Sequence, residues 1–385
     1  MAGFRKISTL WDLDWQKQSK VIRKLLTYFV NCDLNFKEPR TMVVNSHNSI
    51  DLTASDIISM SDSFQESAIL QFANTSGLFE LLKEPVTAET ISESKGWLLR
   101  KTTLLLNVLT SLSLVVKSDD KYCNTPSTNR VLTKDGPGYV GALIEHQRLQ
   151  WQLWSKIGEV ISSEEPIEGQ QELKLKKDPH ANDAFNQAML QLSKENIASI
   201  VALPEMEGEK YILDLAGGHG TYLSAIAKYN PHITGQVWDF ATAREAAQHV
   251  FADYGVENQI EFREADISKA SSYESVKADI AMLNDCLHYF EQETVVQILS
   301  QVAGVLRKGG TLLITTIYMD RDCVTPAAAA GFSFYMMMNT AHGQLHPTPW
   351  LVDQMENIGF NVEVRNFGRV GTKGGKYVLI IGQRK

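Results

Sequence analysis

Cysteine is scarce in this chain and carries no pattern. Cys32, Cys123, Cys286 and Cys323 stand far apart among 385 residues, with no C-x-x-C pair and no histidine-rich neighbour. That spacing argues against a disulfide framework and against a zinc site, and reads as reduced cytosolic thiols. Positive charge is also short: 37 Lys and Arg against 45 Asp and Glu leave a formal net charge of −8, which disfavours a nucleic-acid partner, because affinity for phosphates rests on clustered cations. A small molecule is the expected partner. Long apolar runs are missing too. The most apolar stretch, "PAAAAGFSFYMMM" from Pro326 to Met338, is too short and too interrupted to span a bilayer. The N-terminus begins with Lys and Arg but then carries Asp12 and Asp14 without a long apolar core, so it does not read as a secretory signal. No internal repeat or low-complexity tract breaks the pattern. What remains, 44% hydrophobic and 21% charged, is ordinary soluble composition, on a chain long enough for two domains and a sizeable core.

Two textures divide that length. Residues 1–55 hold one helix pattern, Trp15 to Val30, and then the polar, Asn-rich "VNSHNSIDLTASD", and read as an extension. An amphipathic helix is expected from Ser63 to Leu82, ending near Gly77. After it, "TAETISESKGWLLRKTTLLLNVLTSLSLVVKSDDKYCNTP" gives helix, turn, helix and a hairpin across Ser118-Asp119-Asp120, a winged-helix pattern. The second of those helices spends most of its length on Leu, Val and Thr, with Arg100 and Lys101 its one close pair of cations, which favours a scaffold or dimerisation role over DNA reading. Further helix is expected over Tyr139 to Ile161 and Ala181 to Ile200, completing a mostly helical region 56–200. From 201 to 385 strands alternate with helices: "YILDL", "GQVWDF", "IEFREADI", "DIAMLND", "GTLLITTIY" and "YVLIIGQRK". Such alternation implies an α/β domain with a mainly parallel sheet covered on both faces.

Chemistry is concentrated where the first strand of that domain ends. In "YILDLAGGHGTYLSAIAKYN" an apolar run closes on Asp214, three glycines follow within six residues, and an amphipathic helix begins near Tyr222. The glycines therefore occupy a strand-to-helix turn, the usual ligand mouth of an open α/β sheet. Gly217, Gly218 and Gly220 carry no Cβ and can take positive φ, so a ligand can lie against the backbone and the helix N-terminus. The dinucleotide fingerprint G-x-G-x-x-G fails here, since its third glycine would fall on Leu223. A carboxylate at Asp214 would repel a pyrophosphate and suit an amine or sulfonium cation. Asp239 in "VWDF" closes the second strand nineteen positions after Gly220, where it can accept from both hydroxyls of a ribose. Asp266 in "READI" ends the next strand, placed to accept from an adenine amino group with Ile267 against the ring. Each acid could singly be a turn former or N-cap. Together they suit an adenosine-bearing cation such as S-adenosylmethionine (SAM).

The chain resembles the class I SAM-dependent methyltransferases of the plant and bacterial small-molecule O-methyltransferase type, which include caffeate and hydroxyindole methylating enzymes and antibiotic-tailoring relatives. The resemblance runs from about Ser63 to the C-terminus and rests on "ANTSGLFELL", "YCNTPSTNRVL", "AFNQAMLQLS", "DLAGGHG", "LNDCLHYFEQE", "LRKGGTLLI" and "MMMNTAHGQ" in that order. It implies a Rossmann-like class I methyltransferase domain behind a winged-helix dimerisation domain, SAM as cofactor, no metal, a homodimer through interlocking N-terminal helices, and a cytoplasmic enzyme of secondary metabolism. It also implies that Asp214 and the glycine loop hold the methionine end, Asp239 the ribose, Asp266 and Ile267 the adenine, with Asn284 along the same wall and Phe240 a further cofactor contact. His288 falls on the family's general base. Phe185, Met189, Met337 and Asn339 fall on the acceptor pocket.

A neutral imidazole of ordinary pKa near 6.5 can take the proton of a phenol or enol as its oxygen attacks a methyl group, and the transfer itself depends chiefly on in-line alignment. Two departures stand beside that. The acid that family members often carry after the histidine is Tyr289 here, and the strand "LLITTIY" has Thr315 and Thr316 where another acid is frequent. Asp285, Glu291 and Asp320 are candidate replacements, and His342 and His346 are candidates for a second base or a substrate contact. Transfer to carbon or nitrogen, a non-methylating cyclisation or rearrangement, and a SAM-sensing DNA-binding regulator are the alternative readings.

Overall fold

Thr53 and Asp56 start the first described helix of the computed structural model, which describes residues 52–168, 170, 177–273, 276–370 and 375–385. The Thr53 hydroxyl oxygen accepts from the Asp56 N–H, while the Asp56 carboxylate accepts from the Thr53 N–H. This capping box satisfies two orphan donors and begins α1 at Ala54, ahead of the Ser63 that periodicity gives; α1 runs Ala54–Thr75. The helix expected over Trp15 to Val30 lies outside the described residues. Gly77, at φ 69°, turns the chain into α2, Leu78–Leu81. Then follow β1 (Val86–Thr87), α3 (Ala88–Lys95), α4 (Leu99–Ser111), β2 (Val115–Ser118), β3 (Lys121–Asn124) and α5 (Pro126–Leu132). The three strands form an antiparallel sheet in the order β1-β3-β2, with β2 and β3 joined across Asp119, at φ 54°. This is the winged-helix pattern. Leu106 and Leu109 of α4 bury against this core, and the Asn124 amide donates to the Phe79 carbonyl and to Asn129 Oδ1, fastening the hairpin to α2.

Packing divides the chain between Gly138 and Tyr139. The helices that sequence texture groups with the N-terminal region, residues 139–200, therefore belong to the second unit. The helix expected over Tyr139 to Ile161 comes as three pieces, α6 (Gly141–Leu149), α7 (Trp151–Trp154) and α8 (Ile157–Ser162), followed by the long α9 (Pro179–Val201).

The second unit is built on β4 (Lys210–Leu215), β5 (Ile233–Asp239), β6 (Ile260–Glu264), β7 (Ala278–Asn284), β8 (Leu306–Ile317), β9 (Phe360–Val370) and β10 (Gly375–Arg384), in the order β6-β5-β4-β7-β8-β10-β9. The pairs from β6 to β8 are parallel; β10 lies antiparallel between β8 and β9. Helices α10 (Thr221–Tyr229), α11 (Arg244–Tyr254), α12 (Gln292–Val305), α13 (Ala327–Asn339) and α14 (Thr348–Ile358) connect them. Neighbouring residues of each central strand point to opposite faces. Ile212, Met282 and Leu313 meet Leu223 and Ile226 of α10 and Phe251 of α11, whereas Leu213, Leu283 and Ile314 meet Val295 and Leu299 of α12 and Leu351 of α14. Both faces are covered, which is why these strands read as unbroken apolar runs. The strand order reverses between β4 and β7, and the carboxyl end of β4 at that reversal is where the glycine loop emerges.

Candidate active site

Asp214 is wholly buried one residue before the end of β4. Asn284, the last residue of β7, donates its amide to Asp214 Oδ1 at 3.4 Å and accepts through Oδ1 from the Thr315 hydroxyl of β8 at 3.0 Å. Asp214 Oδ2 has no hydrogen-bond partner among the described residues. Burial pushes the Asp214 pKa up to about 7, the Asn284 amide opposes that, and the nearby Asp239 carboxylate adds to it. A buried carboxylate with a free oxygen is costly unless a cation or donor meets it. Gly217 makes room beside it: a Cβ there would lie 2.6 Å from the Asp214 carboxyl carbon. Gly220, at φ 67°, caps α10 where a Cβ would press on Phe251 and Val237 at 2.8 Å.

The glycine loop and Asp239 are joined directly. Gly218, at φ 55°, donates its N–H to Asp239 Oδ2 at 2.8 Å, while Oδ1 accepts from the Phe240 N–H. Burial raises the Asp239 pKa and these two amides hold it back. The Phe240 ring is largely exposed, at 59%. One strand further, the Ala265 N–H donates to the Asp239 carbonyl. Asp266 is occupied locally: Oδ1 accepts from the N–H and hydroxyl of Ser268, and Oδ2 pairs with Lys269. Partial burial works to raise its pKa, but Ser268 and Lys269 outweigh that and hold it below the usual carboxylate range. Ile267 is buried in the core beside these residues. Two hydrogen-bonded pairs, Asp214 with Asn284 and Gly218 with Asp239, thus stand with Gly217 at the carboxyl edge, with Asp266 and Ile267 one strand beyond.

His288 lies in a 3₁₀ turn, Leu287–Tyr289, just past β7. It is 8% exposed, and the Phe332 ring of α13 meets it edge-on at 5.1 Å, with Tyr289 at 4.9 Å. Burial, with His346 nearby, pushes its pKa down to about 3, so the ring is neutral. The candidate acids are committed elsewhere. Asp285 accepts from the Tyr377 hydroxyl, Glu291 pairs with His342 at 2.6 Å, and Asp320 accepts from the Arg321 N–H. His342 is exposed at the surface in that pair, whereas His346 is buried.

The family model for the O-methyltransferase domain matches residues 169–352, and that for the O-methyltransferase dimerisation domain matches residues 58–134. A solved structure of an O-methyltransferase family protein from Burkholderia thailandensis is 39% identical to this chain, with a TM-score of 0.82 over 87% of this chain and 98% of that one. The chain belongs to the O-methyltransferase family. The 3-hydroxy-5-methyl-1-naphthoate 3-O-methyltransferase of Streptomyces sahachiroi is 27% identical over 285 residues, 70% of this chain and 79% of that protein. Human N-acetylserotonin methyltransferase, solved in complex with SAM, shares the fold at 20% identity and a TM-score of 0.73, over 88% of this chain and 99% of that one.

Within this O-methyltransferase the four expected acceptor residues fall into separate surroundings. Phe185 of α9 packs 5.4 Å from the His146 ring of α6, and Met189, one turn on, is half-buried. Asn339 is fully buried and donates to the Tyr335 carbonyl, leaving its Oδ1 without a partner. Met337 lies on the other side of α13, against Leu153 and Val160, in an open cavity of about 530 Å³ that it lines with Ser333, Phe334, His342 and Gln344. The face of α13 turned to His288 carries Phe332 and, stacked on it at 5.8 Å, Tyr335. The Tyr335 hydroxyl accepts from the Gln150 amide at 2.8 Å and lies 3.2 Å from His146 Nε2. Phe332, Tyr335, His146 and Gln150 were not legible as site candidates. Phe332 and Tyr335 do sit three apart in the Met-rich helix, a spacing that puts them on one face. The partnership with α6 has no local signal.

Proposed function

We propose that this protein transfers the SAM methyl group to a hydroxyl of an aromatic or enolic small molecule in secondary metabolism, with His288 as general base. The observation that carries the reading is a buried, neutral histidine beside aromatic rings at the same sheet edge as Asp214, whose free carboxylate oxygen suits a cation. SAM supplies, when bound, a sulfonium methyl whose positive charge disappears on transfer. Asp214 and Asn284 are the residues proposed to hold the methionine end, Gly217, Gly218 and Gly220 to admit it, Asp239 and Phe240 to bind the ribose, and Asp266 and Ile267 the adenine. His288 accepts the hydroxyl proton on its free imidazole nitrogen. Its low basicity in the free enzyme follows from burial, and proton acceptance is favoured when a positive charge is being lost nearby. Phe332, with Phe185 and Met189, supplies flat apolar surface for an aromatic acceptor.

The protein is further proposed to act as a cytoplasmic homodimer. Among the described residues Cys123, Cys286 and Cys323 are free thiols, and no helix is long and apolar enough to cross a membrane. Ile58, Met60 and Phe64 of α1 and Leu98, Leu99 and Leu104 at α4 are exposed, within the stretch matched by the dimerisation model. Such grouped apolar exposure is what a subunit interface covers.

The test is His288→Ala, assayed for methyl transfer to hydroxylated aromatics and for binding of S-adenosylhomocysteine (SAH), the demethylated product. The variant is expected to bind SAH as wild type does and to lose transfer by about 10²–10⁴-fold. Undiminished transfer removes His288 as base.

A further inference from the structure

The turn that presents His288 is short, three residues of 3₁₀ helix between β7 and α12, in which the Tyr289 and Phe290 N–H groups donate to the Cys286 and Leu287 carbonyls. The loop that follows α13 adds further donors. His346 Nε2 lies 3.2 Å from the Leu287 carbonyl oxygen and 3.0 Å from the Phe290 carbonyl oxygen, one on each side of His288. The Gln344 N–H donates to the His288 carbonyl itself at 3.0 Å. Both partners of His346 Nε2 can only accept, so that nitrogen carries the proton and one N–H is shared between two carbonyls. In the neutral ring Nδ1 then holds the lone pair, and it is buried with no partner among the described residues. His346 is 2% exposed, with the Trp350 ring 5.3 Å away.

The loop's own shape is fixed close by. Thr340 donates its hydroxyl to the Met336 carbonyl, and accepts the Gly343 N–H at 2.7 Å. Gly343 passes so near the turn that a Cβ would sit 3.0 Å from the His288 carbonyl oxygen and collide with Thr340 Oγ1. Met337, Ala341, His342, Gly343 and Gln344 of this same segment line the open cavity.

We infer that His346 is a positioning residue, whose Nε2–H, with the Gln344 amide, fixes the His288 turn in place of the acid that would otherwise orient the imidazole. This rests on the reading of His288 as the base. An orienting group ordinarily hydrogen-bonds the far nitrogen of a catalytic histidine. Here the orientation is imposed through the backbone, and the ring is held by packing against Phe332. Transfer depends on alignment, and displacements of about 1 Å can cost about 10²-fold; a loosened turn therefore costs rate more than affinity.

The experiment uses the full-length protein with SAH bound and its histidine side chains ¹⁵N-labelled. Wild type is expected to show His346 as the Nε2–H tautomer. His346→Phe keeps a ring but removes the donor, and should shift and broaden the His288 signals. His346→Gln keeps an N–H near the Nε2 position and should leave them close to wild type, with SAH affinity within about twofold in both variants. With SAM and a hydroxynaphthoate acceptor, kcat is expected to fall about tenfold or more in His346→Phe, with KM little changed, and to recover in His346→Gln. An Nδ1–H tautomer for His346, or His288 signals unchanged by His346→Phe, overturns the assignment. Should His346→Phe fail to fold, the wild-type tautomer and the Gln variant decide it. Full transfer by His288→Ala would instead remove the base reading, leaving the tautomer and turn measurements standing.

Discussion

Asp214 and Gly217 share one small volume: a Cβ on Gly217 would stand 2.6 Å from the Asp214 carboxyl carbon and 2.7 Å from its Oδ2. The glycine exists for the carboxylate, and Gly217→Ala must either move the loop or turn the acid. SAH affinity is expected to fall by about tenfold or more, equivalent to about 1.4 kcal/mol, measured by calorimetric titration. Unchanged affinity would separate the loop from cofactor binding.

Asp214 also predicts a pH dependence of binding. Its pKa is pushed up to about 7 by burial, and only the ionised form attracts the ammonium of SAH or the sulfonium of SAM. Affinity is therefore full above about pH 8 and weakens as pH falls through 7, approaching tenfold per unit on the acid side. Titrations in buffers of different ionisation enthalpy should show proton release on binding near neutrality. No proton release would place the ligand's cation away from Asp214.

The His288 ring behaves oppositely. Its pKa is pushed down to about 3, so the base stays unprotonated through mildly acid conditions. At saturating SAM and acceptor, kcat is expected to show no acid limb between about pH 5.5 and 7.5. A limb with its midpoint near the ordinary imidazole value of about 6.5 would mean that the ring titrates as an exposed histidine.

Asp285 is partly buried and hydrogen-bonded by the Tyr377 hydroxyl, with its pKa pushed up to about 7 by desolvation, against the pull of that bond. Tyr377→Phe leaves the carboxyl unpaired, at a cost of about 1–3 kcal/mol. The sign with pH follows from linkage. An acid whose folded pKa exceeds its unfolded value costs stability as pH rises between the two. Removing the hydroxyl raises the folded pKa further, so the deficit in urea unfolding should be larger at about pH 8 than at about pH 6. An equal deficit at both would show that Asp285 stays protonated.

For the dimer, Ile58→Glu with Phe64→Glu on the exposed apolar face of α1 is expected to give a monomer by light scattering, with SAH binding retained. A wild-type monomer would remove the proposed assembly.

How far the residues alone reached differs by element. Strand ends were legible because a buried parallel strand is a short apolar run with an acid or amide at its mouth, as at Asp214, Asp239 and Asn284. The start of α1 was missed because its signal is a capping pair, Thr53 and Asp56, in a stretch whose polarity reads as loop. Strand β9 went unread although Val362 and Val364 alternate with Glu363 and Arg365; an edge strand with one wet face resembles a surface loop in composition. His346 was open between a second base and a substrate contact. Its partners are backbone carbonyls 56 and 59 positions away, which no local pattern encodes.

By itself the sequence determined the class of fold, the glycine turn that closes β4 and the acids beside it, because these rest on period, glycine freedom and charge within a few neighbouring residues. Only the tertiary structure decided which groups meet. It left one Asp214 oxygen free and gave Asp285 to Tyr377. It put Met337 and Phe332 on different sides of α13 and set the His346 N–H across the His288 turn. Those outcomes depend on burial and on contacts between segments distant in the chain, where the low dielectric of the interior sets both the pKa values and the cost of an unmet hydrogen bond.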